Sequence, residues 1–214
     1  MKYVLSGVVA LMVVFVAFGE ARGEIDLGSL TFDENAFADA AELVAGDPPP
    51  PTLPPGLTWC EALCGANLST SVEEVRDNEV IFELRYVDNA ILNGPGVDLV
   101  VYEMATQEAF SVAVKKQNGE FTDFLRVFPA LQGFSVDGRE VSAGLFDLDD
   151  FGIPANATVT TIRLIGGPAN GGSKDPDIAA AGALNSVVPE PSIFALLTAG
   201  AFALLAYTWR RRRK

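Results

Sequence analysis

The chain contains no histidine. That absence removes the commonest general base, histidine-dependent nucleophilic triads and most zinc or copper sites. Oxygen-ligated calcium is the one common metal still well served by the side chains present. Cysteine is nearly as scarce, with Cys60 and Cys64 alone. The Cys-x-x-Cys-His pattern of a c-type haem is missing. In an oxidising compartment the pair reads as a disulfide closing a very short loop, with two separate thiols as the alternative. Positive charge is also short: 15 Lys and Arg face 28 Asp and Glu, a net charge of −13. Setting aside Lys2, Glu190 and the five terminal cations leaves nine basic and twenty-seven acidic residues, a net near −18. Such a surface repels nucleic-acid phosphates and anionic lipid, so nucleic-acid binding is set aside. Few aromatics could act as exposed stacking platforms. Trp59 is the one tryptophan outside the last residues, and Tyr86 and Tyr102 lie in apolar runs.

Long apolar runs occur only at the two ends. Met1-Lys2-Tyr3 begins a short cationic start, followed by an apolar stretch from Val4 to Phe18 and small residues at Ala17, Gly19, Ala21 and Gly23. This is the pattern of a signal peptide over residues 1–21, with an uncleaved anchor as the alternative. At the other end stand Pro189, Glu190 and Pro191, an uncharged run from Ile193 to Trp209, and the cluster Arg210, Arg211, Arg212, Arg213 and Lys214. At about 1.5 Å per residue a helical run of this length reaches roughly 25 Å, near the lower limit for spanning a bilayer. The cations after it hold the C-terminus on the cytoplasmic side. Hydropathy alone reads this as a tail anchor. The order and position of tripeptide, helix and basic end closely resemble the PEP-CTERM sorting signal of exopolysaccharide-producing bacteria. That resemblance implies processing by an exosortase, transit through the inner membrane, and delivery to the cell surface or extracellular matrix of a Gram-negative-type cell.

Between the ends lie about 165 residues, enough for one domain with a real core. Residues 22–35 are acidic and aperiodic. Ala36 to Gly46 is a helix by propensity alone, being rich in Ala, Glu and Leu. Residues 47–56 hold Pro48 to Pro51 and Pro54-Pro55, an extended stretch. From Val75 onward short strands follow one another. Glu79 to Val87 alternates, with Val80, Phe82, Leu84 and Tyr86 on one face. Val97 to Tyr102 is β-branched, and Phe110 to Lys115 alternates again. Asn118-Gly119 and Asp137-Gly138 are hairpin turns. Thr158 to Ile165 reads as one strand and Ile178 to Leu184 as the last. Many short strands between Gly, Pro and Asn turns predict an all-β fold, an antiparallel β-sandwich or jelly roll over residues 36–186.

The block Asp88 to Glu103 resembles the "DGxGxDLVVFE" core of a bacterial cell-surface domain family often found before PEP-CTERM anchors. Phe37-Ala38-Asp39-Ala40, Ala62 to Ser69, Phe110 to Lys115, Phe146 to Ile153 and Asp175 to Asn185 fall in that family's order. The resemblance implies a β-sandwich related in shape to discoidin and carbohydrate-binding modules. It also makes Phe37 to Val44 a first strand rather than a helix, and the proline stretch an internal loop. The glycine-rich run usual before the second strand is missing, and Ala180 stands where a second acid would be expected.

Acidic residues are the remaining candidates for a site. An EF-hand reading of Asp147, Asp149 and Asp150 fails, because Phe151 and Thr158 occupy positions that need ligands. A sandwich-type calcium site is the expectation instead, with Asp39 and Asp177 meeting if the first and last strands are neighbours, and Asp98 or Glu103 reaching the same edge. Glycoside hydrolysis needs two carboxylates a few ångströms apart, and nothing in the sequence singles out a pair. The expected role is structural or adhesive, in an exopolysaccharide or biofilm matrix, without catalysis. The alternatives are a lectin-like module stacking sugar on Trp59 and a carbohydrate-active enzyme.

Overall fold

The computed structural model describes residues 23–46, 57–72, 80–166 and 176–187. The expected signal peptide, the proline loop, the Pro-Glu-Pro tripeptide, the apolar run 193–209 and the basic cluster lie outside these residues. Among the described residues no helix is long and apolar enough to cross a membrane.

In chain order the elements are β1 (Glu24–Leu27), β2 (Leu30–Asp33), β3 (Ala40–Ala45), helix α1 (Trp59–Leu63), β4 (Ile81–Arg85), β5 (Ala90–Leu92), β6 (Leu99–Met104) and β7 (Phe110–Val114). They continue with β8 (Leu125–Val127), β9 (Ala130–Val136), β10 (Arg139–Phe146), a 3₁₀ turn (Leu148–Phe151), β11 (Thr158–Val159), β12 (Thr161–Gly166), β13 (Asp177–Ala183) and β14 (Ser186–Val187). A four-stranded sheet runs β13-β6-β10-β9 and a five-stranded sheet runs β3-β4-β12-β7-β8. A small sheet β11-β5-β14 and the hairpin β1-β2 complete the set. The fold is all-β with antiparallel sheets, layered in the manner of a sandwich.

The alternating side chains explain the layering. On β4 Phe82 and Leu84 point inward with the flanking Val80 and Tyr86; on β7 Phe110, Val112 and Val114 do so, and on β12 Ile162 and Leu164. They meet Leu99 and Val101 of β6, Phe146 of β10, and Ile178, Ala181 and Ala183 of β13. The other face of β6, with Val100, Tyr102 and Met104, packs under Phe32, Phe37 and Leu68 and is covered by Ile25, Leu27 and Leu30 of the hairpin. Strands β6 and β13 of the four-stranded sheet are therefore buried on both faces. This is why Leu99 to Met104 is buried throughout and, apart from Glu103, reads as an apolar run rather than an alternating one.

The strand that the family resemblance puts first, at Phe37 to Val44, forms over Ala40–Ala45 as the third strand, with the helix expected from propensity overridden. Ala40–Ala45 pairs with β4, Ala41 opposite Leu84 and Leu43 opposite Phe82. Partly buried Ala41 and Leu43 fit a period of two, and the gain from pairing with β4 exceeds a propensity difference of tenths of a kcal/mol per residue. Four details differ from the sequence reading. Residues 22–35, read as aperiodic, form the β1–β2 hairpin, whose apolar side chains pack on the core. Thr158 to Ile165 breaks at Thr160 into β11, paired with β5, and β12, paired with β4 and β7. A further short strand, β14, follows the one expected to be last. Helix α1 is new, nucleated by a capping box in which Thr58 and Glu61 exchange side-chain and backbone hydrogen bonds. Both expected hairpins form. At Asp137-Gly138 both residues have positive φ, 52° and 79°, as the turn between β9 and β10 requires.

Candidate functional site

Asp98 ends the turn Asn93-Gly94-Pro95-Gly96 and is fully buried. One carboxylate oxygen accepts from the backbone N–H of Gly94 and from Asn185 Nδ2, both at 2.8 Å. The other accepts from the backbone N–H of Leu148 at 2.9 Å. The Asp98 side chain thus ties the β5–β6 turn, the 3₁₀ turn and the end of β13 together. Gly94 is required there, since a Cβ would lie 2.7 Å from Asn185 Nδ2. Beside it, buried Asn93 donates to Asp149 Oδ1 at 2.8 Å and to the Ile153 carbonyl at 2.7 Å. Asp147 caps the 3₁₀ turn by accepting from the Asp149 N–H. The acids of Phe146 to Gly152 shape a turn, consistent with the failed EF-hand reading.

Glu103 lies five residues along the same strand from Asp98, roughly 16 Å at the rise of a β-strand. It shares the inter-sheet face of Leu99 and Val101 and is fully buried. Its Oε2 is hydrogen-bonded to Ser142 Oγ on β10, while Oε1 has no partner. Burial pushes the carboxyl up to about 8, against the opposing effect of the Ser142 bond and with help from the charges of Glu108 and Asp177. This shift favours the neutral form of Glu103 at pH 7. Ser142 is 1 % exposed, so the pair is closed to any substrate.

A third cluster forms where β3 meets α1. Asp39 Oδ2 accepts from the N–H of Val87 at 2.5 Å and of Asp88 at 3.3 Å. Partial burial raises the Asp88 carboxyl above the usual range, and the neighbouring Asp39 adds to it. Cys60 Sγ donates to the Asp39 carbonyl at 3.3 Å and to Cys64 Sγ at 3.0 Å. The cysteines are free thiols here, in hydrogen-bond contact rather than at the about 2.05 Å of a covalent bond. Burial, then the bond from Cys60, raises the Cys64 thiol well above its ordinary range. Trp59 packs its ring on Phe82, centroids 5.4 Å apart, at the edge of the core. Tyr86 is buried with its hydroxyl donating to the Ala181 carbonyl, and Tyr102 is buried as well.

The four carboxylates of the expected calcium site do not converge. Asp98 and Glu103 stand at opposite ends of β6. Asp177, opposite Met104, lies at the Glu103 end, whereas Asp39 precedes β3 and hydrogen-bonds to the residues after β4. The strand neighbourhood supposed for Asp39 and Asp177 fails because the chain before β3 meets β13 near Ala181 and Gly182, not near Asp177. Among the described residues no group of three or more Asp, Glu or Cys side chains is placed to hold a metal ion. These four acids do not fit calcium as a set. Sequence reasoning missed Ser142, Asn185 and Asn93, whose only signal is that a polar side chain sits in or beside an apolar strand.

No match was found among curated proteins. Residues 187–213 match the model of the PEP-CTERM protein-sorting motif. That motif is the signature of exported surface proteins processed by an exosortase.

Proposed function

We propose that the β-rich body of this exported protein serves a structural or adhesive role in an extracellular polysaccharide or biofilm matrix, without catalysing a reaction. The observation that carries the reading is the sorting motif at residues 187–213. The acids support it, because Asp98, Asp147 and Asp149 hold turns in place and Glu103 is sealed inside. Trp59, the aromatic expected to stack a sugar, is instead partly buried against Phe82.

The test compares the full chain with one lacking Pro189 to Lys214, in an exosortase-bearing host. The truncated protein should leave the membrane fraction and lose its retention in the surface or matrix fraction. A truncated chain still held in the membrane would move the anchor to the N-terminus and overturn the sorting part of the proposal. The purified protein should neither hydrolyse nor bind members of a polysaccharide panel through a single site. Hydrolysis lost on changing one carboxylate would replace this reading with an enzyme, and binding lost in Trp59→Ala with a lectin.

A further inference from the structure

Helix α1 has five residues, far below the roughly 12 at which an isolated helix becomes even marginally stable in water. It nevertheless supplies part of the core. Ala62 and Leu63 are buried, and Trp59 rests its ring on Phe82 of β4. Its hold on the body therefore depends on ties beyond its own turn. The capping box of Thr58 and Glu61 closes its start. Beyond its end the Gly65 N–H donates to the Ala38 carbonyl at 3.1 Å, and Thr70 Oγ1 donates to the Glu61 carbonyl at 3.4 Å.

The cysteines form a further tie. A regular helix holds side chains four residues apart with their Cβ atoms about 5–6 Å from each other, beyond the about 3.5–4.5 Å that a disulfide spans. Cys64 is not in a regular helix. It is the C-cap of α1, with φ −103° and ψ 148°, while its N–H still donates to the Cys60 carbonyl at 2.8 Å. The two sulfurs stand 3.0 Å apart, so about 1 Å of approach separates this contact from a bond of about 2.05 Å. Both cysteines are partly exposed, open to a reagent from solvent. Closure replaces weak thiol hydrogen bonds, that of Cys60 to the Asp39 carbonyl at 3.3 Å among them.

We propose that Cys60 and Cys64 close to a disulfide in the exported protein, and that this bond clasps α1 across its one turn, keeping Trp59 and Leu63 on the core. The proposal rests on the chain being exported, since thiols stay reduced in the cytosol and oxidise outside it. The oxidant is a disulfide donor, either a small-molecule disulfide or a dithiol oxidoreductase. Cys60, as thiolate, attacks one donor sulfur, which forms a mixed disulfide and releases the other donor sulfur as a thiolate. Cys64, which burial keeps protonated until then, loses its proton and attacks the Cys60 sulfur, releasing the second donor thiolate. Two electrons and two protons have then passed from the cysteines to the donor, which leaves as two thiols.

The full chain, purified in a non-ionic detergent and reduced, is freed of reductant, treated with excess oxidised glutathione, alkylated under denaturing conditions and weighed by mass spectrometry. The expected product is a single chain lighter by two hydrogens, with no alkyl group and no glutathione attached. Glutathione retained on either cysteine, two alkyl groups, or a bond joining two chains would overturn the proposal. Hydrogen exchange over residues 58–65 tests the clasp itself. Exchange there should be slower in the oxidised chain than in the same chain with reductant. The double variant Cys60→Ser with Cys64→Ser should exchange at the reduced rate whether or not reductant is present. Equal exchange in the oxidised and reduced wild type would overturn the clasp. In cells, acid quenching and alkylation fix the native thiol state, and the chain in the surface fraction should resist alkylation. A surface chain with two reactive thiols would overturn the proposal and leave export standing. A chain confined to the cytosol would instead overturn the export on which the proposal rests, while the purified chain still decides whether the bond forms.

Discussion

Asp98 holds three separate loops through one carboxylate, and its removal leaves the Gly94 and Leu148 amides and Asn185 Nδ2 without their acceptor. At about 1 kcal/mol for each orphaned buried donor, Asp98→Ala should lower unfolding stability by about 3 kcal/mol. A urea titration of the folded protein checks this, and a loss under about 0.5 kcal/mol would mean that the loops are held by packing alone. Glu103 makes a prediction of opposite sign. Its folded-state value of about 8 lies above the ordinary 4.5, so the native state keeps a proton that the unfolded state releases between those limits. Stability contributed by the neutral carboxyl is complete below about pH 4.5 and is lost as pH rises toward 8, by up to about 1.4 kcal/mol per unit. Melting curves from pH 5 to 9 should show this decline in the wild type and a flatter profile in Glu103→Gln. Equal slopes in the two proteins would remove Glu103 as the cause. Both residues were recognisable in the sequence as acids in an apolar setting. Their roles were not, because the partners lie 50, 87 and 39 residues away and nothing local announces them.

At the scale of elements, close approach between the sheets is as decisive as hydrogen bonding. Gly144 on β10 faces the inter-sheet space, where an added Cβ would stand 2.6 Å from Phe110 Cζ and from Val127 Cγ1. Gly144→Ala should destabilise by about 1–3 kcal/mol through overpacking, whereas alanine at the open Gly133 meets only a backbone penalty at its positive φ of 77°. Pairing Gly144→Ala with Phe110→Leu tests the mechanism, since a smaller neighbour should recover part of the loss. Strands with a clear period of two, β4 and β7, were legible from their side chains alone. The break at Thr160 was not, since it follows from which strands lie alongside, β5 before it and β4 with β7 after it. Helix α1 had a readable signature in Thr58 and Glu61. Its single turn, hard against the proline-rich stretch, gave no periodicity to confirm it.

At the scale of the whole molecule, the position of the sorting motif determines how the body is held. The motif begins at residue 187, the last residue of β14. A tether at that end transmits mechanical load first to β14, which offers only the pairs Ser186–Ile91 and Val187–Ala90, and the Ser186 hydroxyl bond to Asp33. Load next reaches β13, an edge strand joined to β6 over Asp177 to Ala183 and buried on both faces. Pulling the chain from its C-terminal end by force spectroscopy should therefore give a small early release, then one larger rupture as β13 parts from β6. A single rupture with no early step would mean that β14 carries no separate load. The two-residue strand works as a mechanical fuse between a surface-bound tail and the body, yielding under shear before the core is breached.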